Sequence, residues 1–233
     1  MIKRLLYFII FGYLAWLLLL FLFQRDIMYQ PRRYNLTGAT MTMKDFVYIE
    51  LKAEDGIKVA TWAKNVNPQA PTIVYFHGNA ESVPDNVAFL RALAGEGYNV
   101  VAMEYRGYGP SNQNVNETGI FSDARATIEH LRKSVPDEKI ILFGRSLGTG
   151  VALKMASEYH VGAVILQSPF TSIEDLTQDM YPHFPIKYFH LVKDNYNSKS
   201  LASKITAPVL IMHGRKDTLV PLANAQNLAQ SLV

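Results

Sequence analysis

The sequence predicts an α/β domain: a mostly parallel sheet with helices on both faces, an N-terminal antiparallel hairpin, a small helical cap, and one transmembrane helix in front. Three observations carry this reading. From Pro71 onward, short continuous apolar runs alternate with amphipathic stretches of helical period, the pattern of strands buried on both faces between covering helices. Before that, residues alternate in character on either side of Glu54-Asp55-Gly56, the signature of two strands joined by a tight turn. At the start, Leu5 to Phe23 is an uninterrupted apolar run of about the 20 residues that a helix needs to cross a bilayer.

The 233 residues suit one domain with a substantial core. A net charge of +3 is too small to imply nucleic acid as a partner. The absence of cysteine excludes disulfides, thiolate catalysis and zinc-thiolate sites. Three segments follow: a transmembrane anchor over 1–24, a polar, basic connector over 25–43 in which Pro31 argues against helix, and the α/β domain over 44–233. A cleavable signal peptide competes with the anchor, but its apolar region would be shorter and would end in an A-x-A-like site that is not found. A buried core helix needs more surrounding protein than this chain offers. Lys3 and Arg4 precede the span, and Arg25, Arg32 and Arg33 follow it, so the positive-inside rule gives no orientation.

Within the domain, Phe46 to Leu51 and Ile57 to Trp62 form the hairpin, and Thr72 to Phe76 is a buried strand ending in His77-Gly78-Asn79-Ala80. Pro84 to Ala94 reads as a helix with Pro84 and Asp85 in its first turn and Gly95 as its stop. Tyr98 to Met103 is the next strand, leading into Glu104-Tyr105-Arg106-Gly107-Tyr108-Gly109. Glu117 to Val135 is helical, with Ile120, Ala124, Ile128 and Leu131 as its apolar stripe. Lys139 to Phe143, Val161 to Gln167 and Pro208 to Met212 are further strands, and a last helix starts at Pro221 with Leu222, Ala225, Leu228 and Leu232 facing inward. Right-handed crossovers then bring the strand ends, and the site, to one edge. Residues 171–203 break the rhythm: they are rich in aromatics, and Ser172 with Asp175 can cap a short helix. They read as a cap over the site, the competing reading being helices packed on the sheet edge.

The chemistry concentrates at Gly144-Arg145-Ser146-Leu147-Gly148, between an apolar strand and a helix rich in small residues (Gly150, Ala152, Ala156). A G-x-S-x-G turn in that setting is so sharp that side chains two before and two after the serine would strike backbone. It lifts the Ser146 hydroxyl clear of the sheet above a helix N-terminus, whose free N–H groups and positive partial charge favour an oxyanion.

The ordered segments HGN (77–79), EYRGYG (104–109), GRSLG (144–148) and HGRKD (213–217) resemble the α/β-hydrolase superfamily. More narrowly they are similar to the membrane-anchored branch that includes the Bem46-like and serine-aminopeptidase-like hydrolases, as is the Phe23-Gln24-Arg25 to Tyr29-Gln30-Pro31 stretch. The resemblance covers nearly the whole chain. It implies that Ser146 is the nucleophile, that Asp217 is the triad acid, and that the backbone N–H groups of Asn79 and Leu147 form the oxyanion hole. Asp194 and Asp175 are alternative acids in the cap, and an Asp that only bonds turn backbone is the plain structural reading of Asp217. His77, Glu104 and Arg106 read as loop-bracing groups.

The base is the missing piece. The superfamily order is Ser, Asp, then His. Ordinary element lengths put that histidine roughly 25–30 residues beyond Asp217, whereas Val233 comes 16 residues after it and no histidine follows His213. His130 and His160 read as surface groups and His213 as structural; His183 and His190 lie in the cap, where they could approach Ser146. The expectation is a chain truncated before its last strand, catalytic histidine and final helix, impaired in turnover and exposing apolar surface on its last strand and helix. The implied activity is hydrolysis of carboxylic esters or thioesters of apolar acyl substrates, with amide or peptide hydrolysis as the alternative. From another class, a non-catalytic binding homologue on the same fold stays open. No cofactor is expected: there is no G-x-x-x-x-G-K-[ST], the G-x-G-x-x-G around Gly148 and Gly150 is incomplete, and no H-E-x-x-H or carboxylate cluster suggests a metal. Expected partners are a small-molecule or acylated substrate and a membrane; oligomeric state is left open.

Overall fold

In the computed structural model, residues 2–181 and 191–232 are described. Seven strands form one sheet in the order β1-β2-β4-β3-β5-β6-β7: β1 Val47–Lys52, β2 Lys58–Lys64, β3 Thr72–Phe76, β4 Asn99–Met103, β5 Ile140–Arg145, β6 Ala163–Gln167 and β7 Val209–Met212. β1 pairs antiparallel with β2, and β2 antiparallel with β4. The other neighbours are parallel. All of β3 and β4 is buried, which is why their sequences are near-continuous apolar runs rather than alternating ones.

Alternation within each strand still sorts side chains into two layers. Val74, Phe76, Leu142 and Leu166 face a core closed by α4 (Glu117–Arg132), α5 (Leu147–Glu158) and Leu228 of the last helix. Ile73, Tyr75, Phe143 and Trp62 face the opposite core with Leu90 of α3 (Val87–Gly95). The α4 stripe is as the period requires, with Ile120, Ala124 and Ile128 fully buried. The hairpin also follows the sequence: Gly56 takes φ +83° in its turn, and Ala53 N–H donates to the Ile57 carbonyl (2.9 Å).

The segment expected to be an irregular connector is largely helical. The apolar helix α1 runs from Ile2 to Met28, past the predicted limit at residue 24, and α2 spans Leu36–Thr42. Pro31 marks the break between them. α2 forms because Asn35 caps it, accepting from Gly38 N–H at 2.7 Å, and because Ala39 and the following Met43 bury against the Trp62 core. Other limits move by a few residues: a 3-10 turn at Val83–Asn86 precedes α3, and α4 stops at Arg132 rather than Val135.

Across 171–203, Ser172 does cap a helix, α6 (Ile173–Met180), its hydroxyl accepting from Asp175 N–H at 2.9 Å. A one-turn helix, α7 (Ser198–Leu201), follows. His183 and His190 lie outside the described residues. The part from Leu191 on packs into the body: Tyr196 is buried against Gly150 of α5, where a Cβ would sit 2.9 Å from the tyrosine side chain. The final helix, α8 (Leu222–Ser231), buries Ala225 and Leu228, whereas Leu222 and Leu232 are only half-buried. β7 lies at the edge of the described sheet, with Leu210 and Met212 exposed.

Buried charge ties β4 to α4. The Arg106 guanidinium donates to Asp123 (2.6–3.1 Å) and to Asp55 in the hairpin turn, and the Asp123 carboxylate also accepts Arg106 N–H at 2.9 Å. Removing Asp123 leaves the buried guanidinium with only the half-exposed Asp55 of the hairpin turn. Asp123→Ala should therefore cost about 3–5 kcal/mol, read as a lowered midpoint in denaturant unfolding. A Cβ at Gly148 would strike the Phe76 carbonyl, which is fixed in the sheet. Gly148→Ala should lose about 1–3 kcal/mol by the same measurement.

Candidate active site

The register Phe76↔Gly144↔Leu166 and Gln167↔Met212 brings the ends of β3, β5, β6 and β7 to one sheet edge. There the chain turns from β5 into α5 at Ser146, with φ +49° and ψ −115°. A non-glycine residue in the left-handed region costs on the order of 1–3 kcal/mol. The surroundings impose it: Ser146 N–H donates to the Gln167 carbonyl (2.8 Å), and the Ser146 carbonyl accepts from both Thr149 N–H (2.9 Å) and the Thr149 hydroxyl (2.6 Å). The two glycines do what the sequence required of them. A Cβ on Gly144 would meet the Gly148 carbonyl oxygen and, at 2.6 Å, Thr149 Cα, and one on Gly148 would meet β3. Leu147 is the first residue of α5, so its N–H belongs to the group left free by helix geometry, directly after the serine.

Asn79 lies on the loop leaving β3. Gly78 N–H is taken up by Glu81 (3.1 Å), and Glu81 also pairs with Arg145, the residue before the serine (3.4 Å). The Asn79 side chain is fixed three ways: Oδ1 accepts from the Tyr108 hydroxyl (2.6 Å) and from Gln30 N–H (3.1 Å), and Nδ2 donates to the Met28 carbonyl (2.6 Å). Nothing in the sequence pointed to this use of the side chain, because two of its partners are backbone groups some fifty positions away and the third is a side chain 29 positions on.

His77 is fully buried beneath this loop, with one ring nitrogen 2.8 Å from the Gly78 carbonyl and the other 2.9 Å from Glu104. Burial works against its charge, but the adjacent Glu104 carboxylate outweighs it and raises the imidazole above its ordinary range. Glu104 also accepts Val83 N–H at 3.0 Å, and the Tyr105 hydroxyl donates to the His77 carbonyl at 2.7 Å. These are bracing contacts, as the sequence suggested for His77, Glu104 and Arg106.

Asp217 stands on the loop after β7. One carboxylate oxygen accepts from Leu219 and Val220 N–H (3.0 and 2.9 Å). Its pKa lies below the usual carboxylate range: partial burial pushes it up, but the two backbone N–H groups, the Ser168 hydroxyl and nearby His213 outweigh that. Ser168 follows β6, has φ +53°, and donates its N–H to the Met212 carbonyl at 2.8 Å. Sequence reasoning passed over Ser168; its only signal was a polar residue just past a strand end. Of the alternative acids, Asp194 is buried in a two-point pair with Arg25 (2.8 and 2.9 Å), and Asp175 sits in the first turn of α6.

The four described histidines are placed away from the serine's hydrogen bonds. His77 is paired with Glu104, His213 has Nε2 2.8 Å from the Val220 carbonyl and 3.7 Å from Asp217, and His130 and His160 are on the surface. No cluster of potential metal ligands occurs among the described residues.

The sequence and the fold are similar to those of known proteins. The serine aminopeptidase family (S33, Hydrolase_4) matches residues 67–199. The chain is 31% identical over 218 residues to the lysophosphatidylserine lipase ABHD12 of Danio rerio, covering 85% of this chain and 56% of that protein. It is 27% identical over 216 residues to protein bem46 of Schizosaccharomyces pombe, covering 87% and 72%. In fold it is similar to the Pyrococcus furiosus esterase Pf2001, with a TM-score of 0.65 at 21% identity over 88% of this chain and 84% of that one. With seven strands in hydrolase order and a serine elbow at the head of α5, the chain belongs to the α/β-hydrolase superfamily, in its Bem46-like, serine-aminopeptidase-related branch.

Proposed function

We propose that the protein is a membrane-anchored serine hydrolase that cleaves ester or thioester bonds of apolar acyl substrates through an acyl-serine intermediate. The observation that carries this reading is Ser146 held in left-handed backbone at the head of α5, on the same sheet edge as Asp217. Ser146 Oγ attacks the carbonyl carbon while a histidine base takes its proton, and Asn79 and Leu147 N–H groups receive the oxyanion. Collapse expels the alcohol or thiol, which takes up that proton; water then attacks the acyl-serine with help from the same base and releases the acid. Asp217 orients the base and supports its positive charge. An apolar acyl chain suits a protein with a membrane-length apolar helix, and a lipase name on a 31% identical relative supports a lipid-like ester. The family's description as aminopeptidases makes amide hydrolysis the second reading.

The base belongs after Asp217 in chain order, and no histidine follows His213 in the sequence. Loss of that base should slow turnover on the order of a million-fold. α1 would hold the enzyme at the bilayer: its Lys3–Met28 stretch is long and apolar enough to cross, and its most apolar part is unburied.

Expressed from its complete reading frame, the protein should take up a fluorophosphonate probe at Ser146, and Ser146→Ala should not. A folded protein that stays unlabelled would sink the reading. In the same preparation, kcat/KM should rise from acetyl to octanoyl esters and exceed that for matched anilides; the reverse preference would favour the peptidase. The protein should also stay in the membrane fraction through alkaline carbonate extraction with α1 intact, whereas a mature form lacking Leu5 to Phe23 would show the segment to be a cleaved signal.

A further inference from the structure

We propose that the end of α1 is a working part of the active site, positioning the oxyanion loop through the side chain of Asn79; this rests on the hydrolase reading above. The last carbonyls of a helix have no intrahelical partner. Here the Met28 carbonyl receives Asn79 Nδ2 at 2.6 Å, and the Gln30 N–H just past the helix end donates to Asn79 Oδ1 at 3.1 Å. One amide thus reads both a carbonyl and an N–H of the same short stretch. Of the similarly shaped side chains only asparagine can do this, because aspartate has no donor for Met28 and leucine has neither group. The remaining acceptor site of Oδ1 takes the Tyr108 hydroxyl at 2.6 Å, which holds the amide in one orientation. The loop needs such a clamp, since Ala80 sits at φ +57° and Gly78 spends its N–H on Glu81.

The same end of α1 also grips the nucleophile's side of the site. Arg25 pairs with the buried Asp194, Gln24 exchanges hydrogen bonds with Leu191 and Lys193, and the hydroxyls of Tyr29 and Tyr196 share a hydrogen bond at 2.9 Å. Tyr196 in turn packs on Gly150 of α5, the helix under Ser146, and the Asn195 and Tyr196 N–H groups are held by Glu117 (2.7 and 2.9 Å). The two halves of the oxyanion hole, the Asn79 loop and the head of α5, are therefore referenced to one another partly through α1. Asn79 is a positioning residue by its side chain, in addition to any N–H it gives to the substrate.

The test uses the full protein in detergent micelles, comparing wild type with Asn79→Asp, Asn79→Leu and Gln30→Pro. The last removes one N–H from the α1 side without touching the loop. Two quantities are read: hydrogen exchange over residues 77–81, and the inactivation constants for a fluorophosphonate, with thermal melts to confirm folding. Each variant should exchange faster at 77–81 and lose at least about tenfold in kinact, as misplacement of a catalytic group by about an ångström does, with KI within twofold of wild type. Unchanged exchange and unchanged kinact in folded Asn79→Leu and Gln30→Pro would overturn the proposal. If wild type is not labelled, the hydrolase reading falls, and the exchange data alone still decide whether α1 fixes the loop.

Discussion

A backbone crossing with no room for a side chain governs this molecule. Where β5 turns into α5, Gly148 lies against the Phe76 and His77 carbonyls and Gly144 against Gly148 and Thr149. That contact lets α5 start directly under the sheet edge, which forces Ser146 into its left-handed conformation and brings the helix N-terminus beside it. It also sets the separation between the β5 turn and the loop leaving β3, so that Arg145 can reach Glu81, and Glu81 can hold Gly78. A cost of a few kcal/mol in backbone strain is offset by the two large cores on either side, and the strain sits at Ser146, where β5 turns into α5.

Around that crossing, charge is used to fix position. His77–Glu104, Arg106–Asp123 and Arg25–Asp194 each have at least one fully or almost fully buried member, and each joins a loop near the site to a different part of the framework. Buried pairs of this kind contribute little net stability, because desolvation cancels much of the attraction, but removing one partner is costly. Their effect is to make one arrangement of the loops much better than its alternatives.

The elements that repeat a simple period were legible in the sequence. The α4 stripe, the buried β3 and β5, and the glycine spacing around Ser146 each follow from a local rule, and local rules survive folding. Two things were not legible. The helical character of 25–43 depends on a cap at Asn35 and on burial of Ala39 and Met43 against Trp62, contacts that no local pattern announces. The site's supporting groups, Ser168 beside Asp217 and the Asn79 amide against Met28 and Gln30, are pairings between distant segments. Asn79 was legible for its backbone and illegible for its side chain, and Asp194 read as a spare acid only because its partner, Arg25, lies 169 positions away.

The Arg25–Asp194 pair bears on how a soluble version of this domain ought to be made. A cut placed where the apolar run ends, after Phe23 or Gln24, retains Arg25 at a frayed terminus; a cut a few residues later removes it and takes away the two-point partner of Asp194. Tyr29 would lose its seat against Tyr196 in the same step. The domain therefore does not begin where hydrophobicity falls. It begins at least one helical turn earlier, and a soluble version should keep the last turns of α1, with their outward Phe and Leu residues exchanged for polar ones.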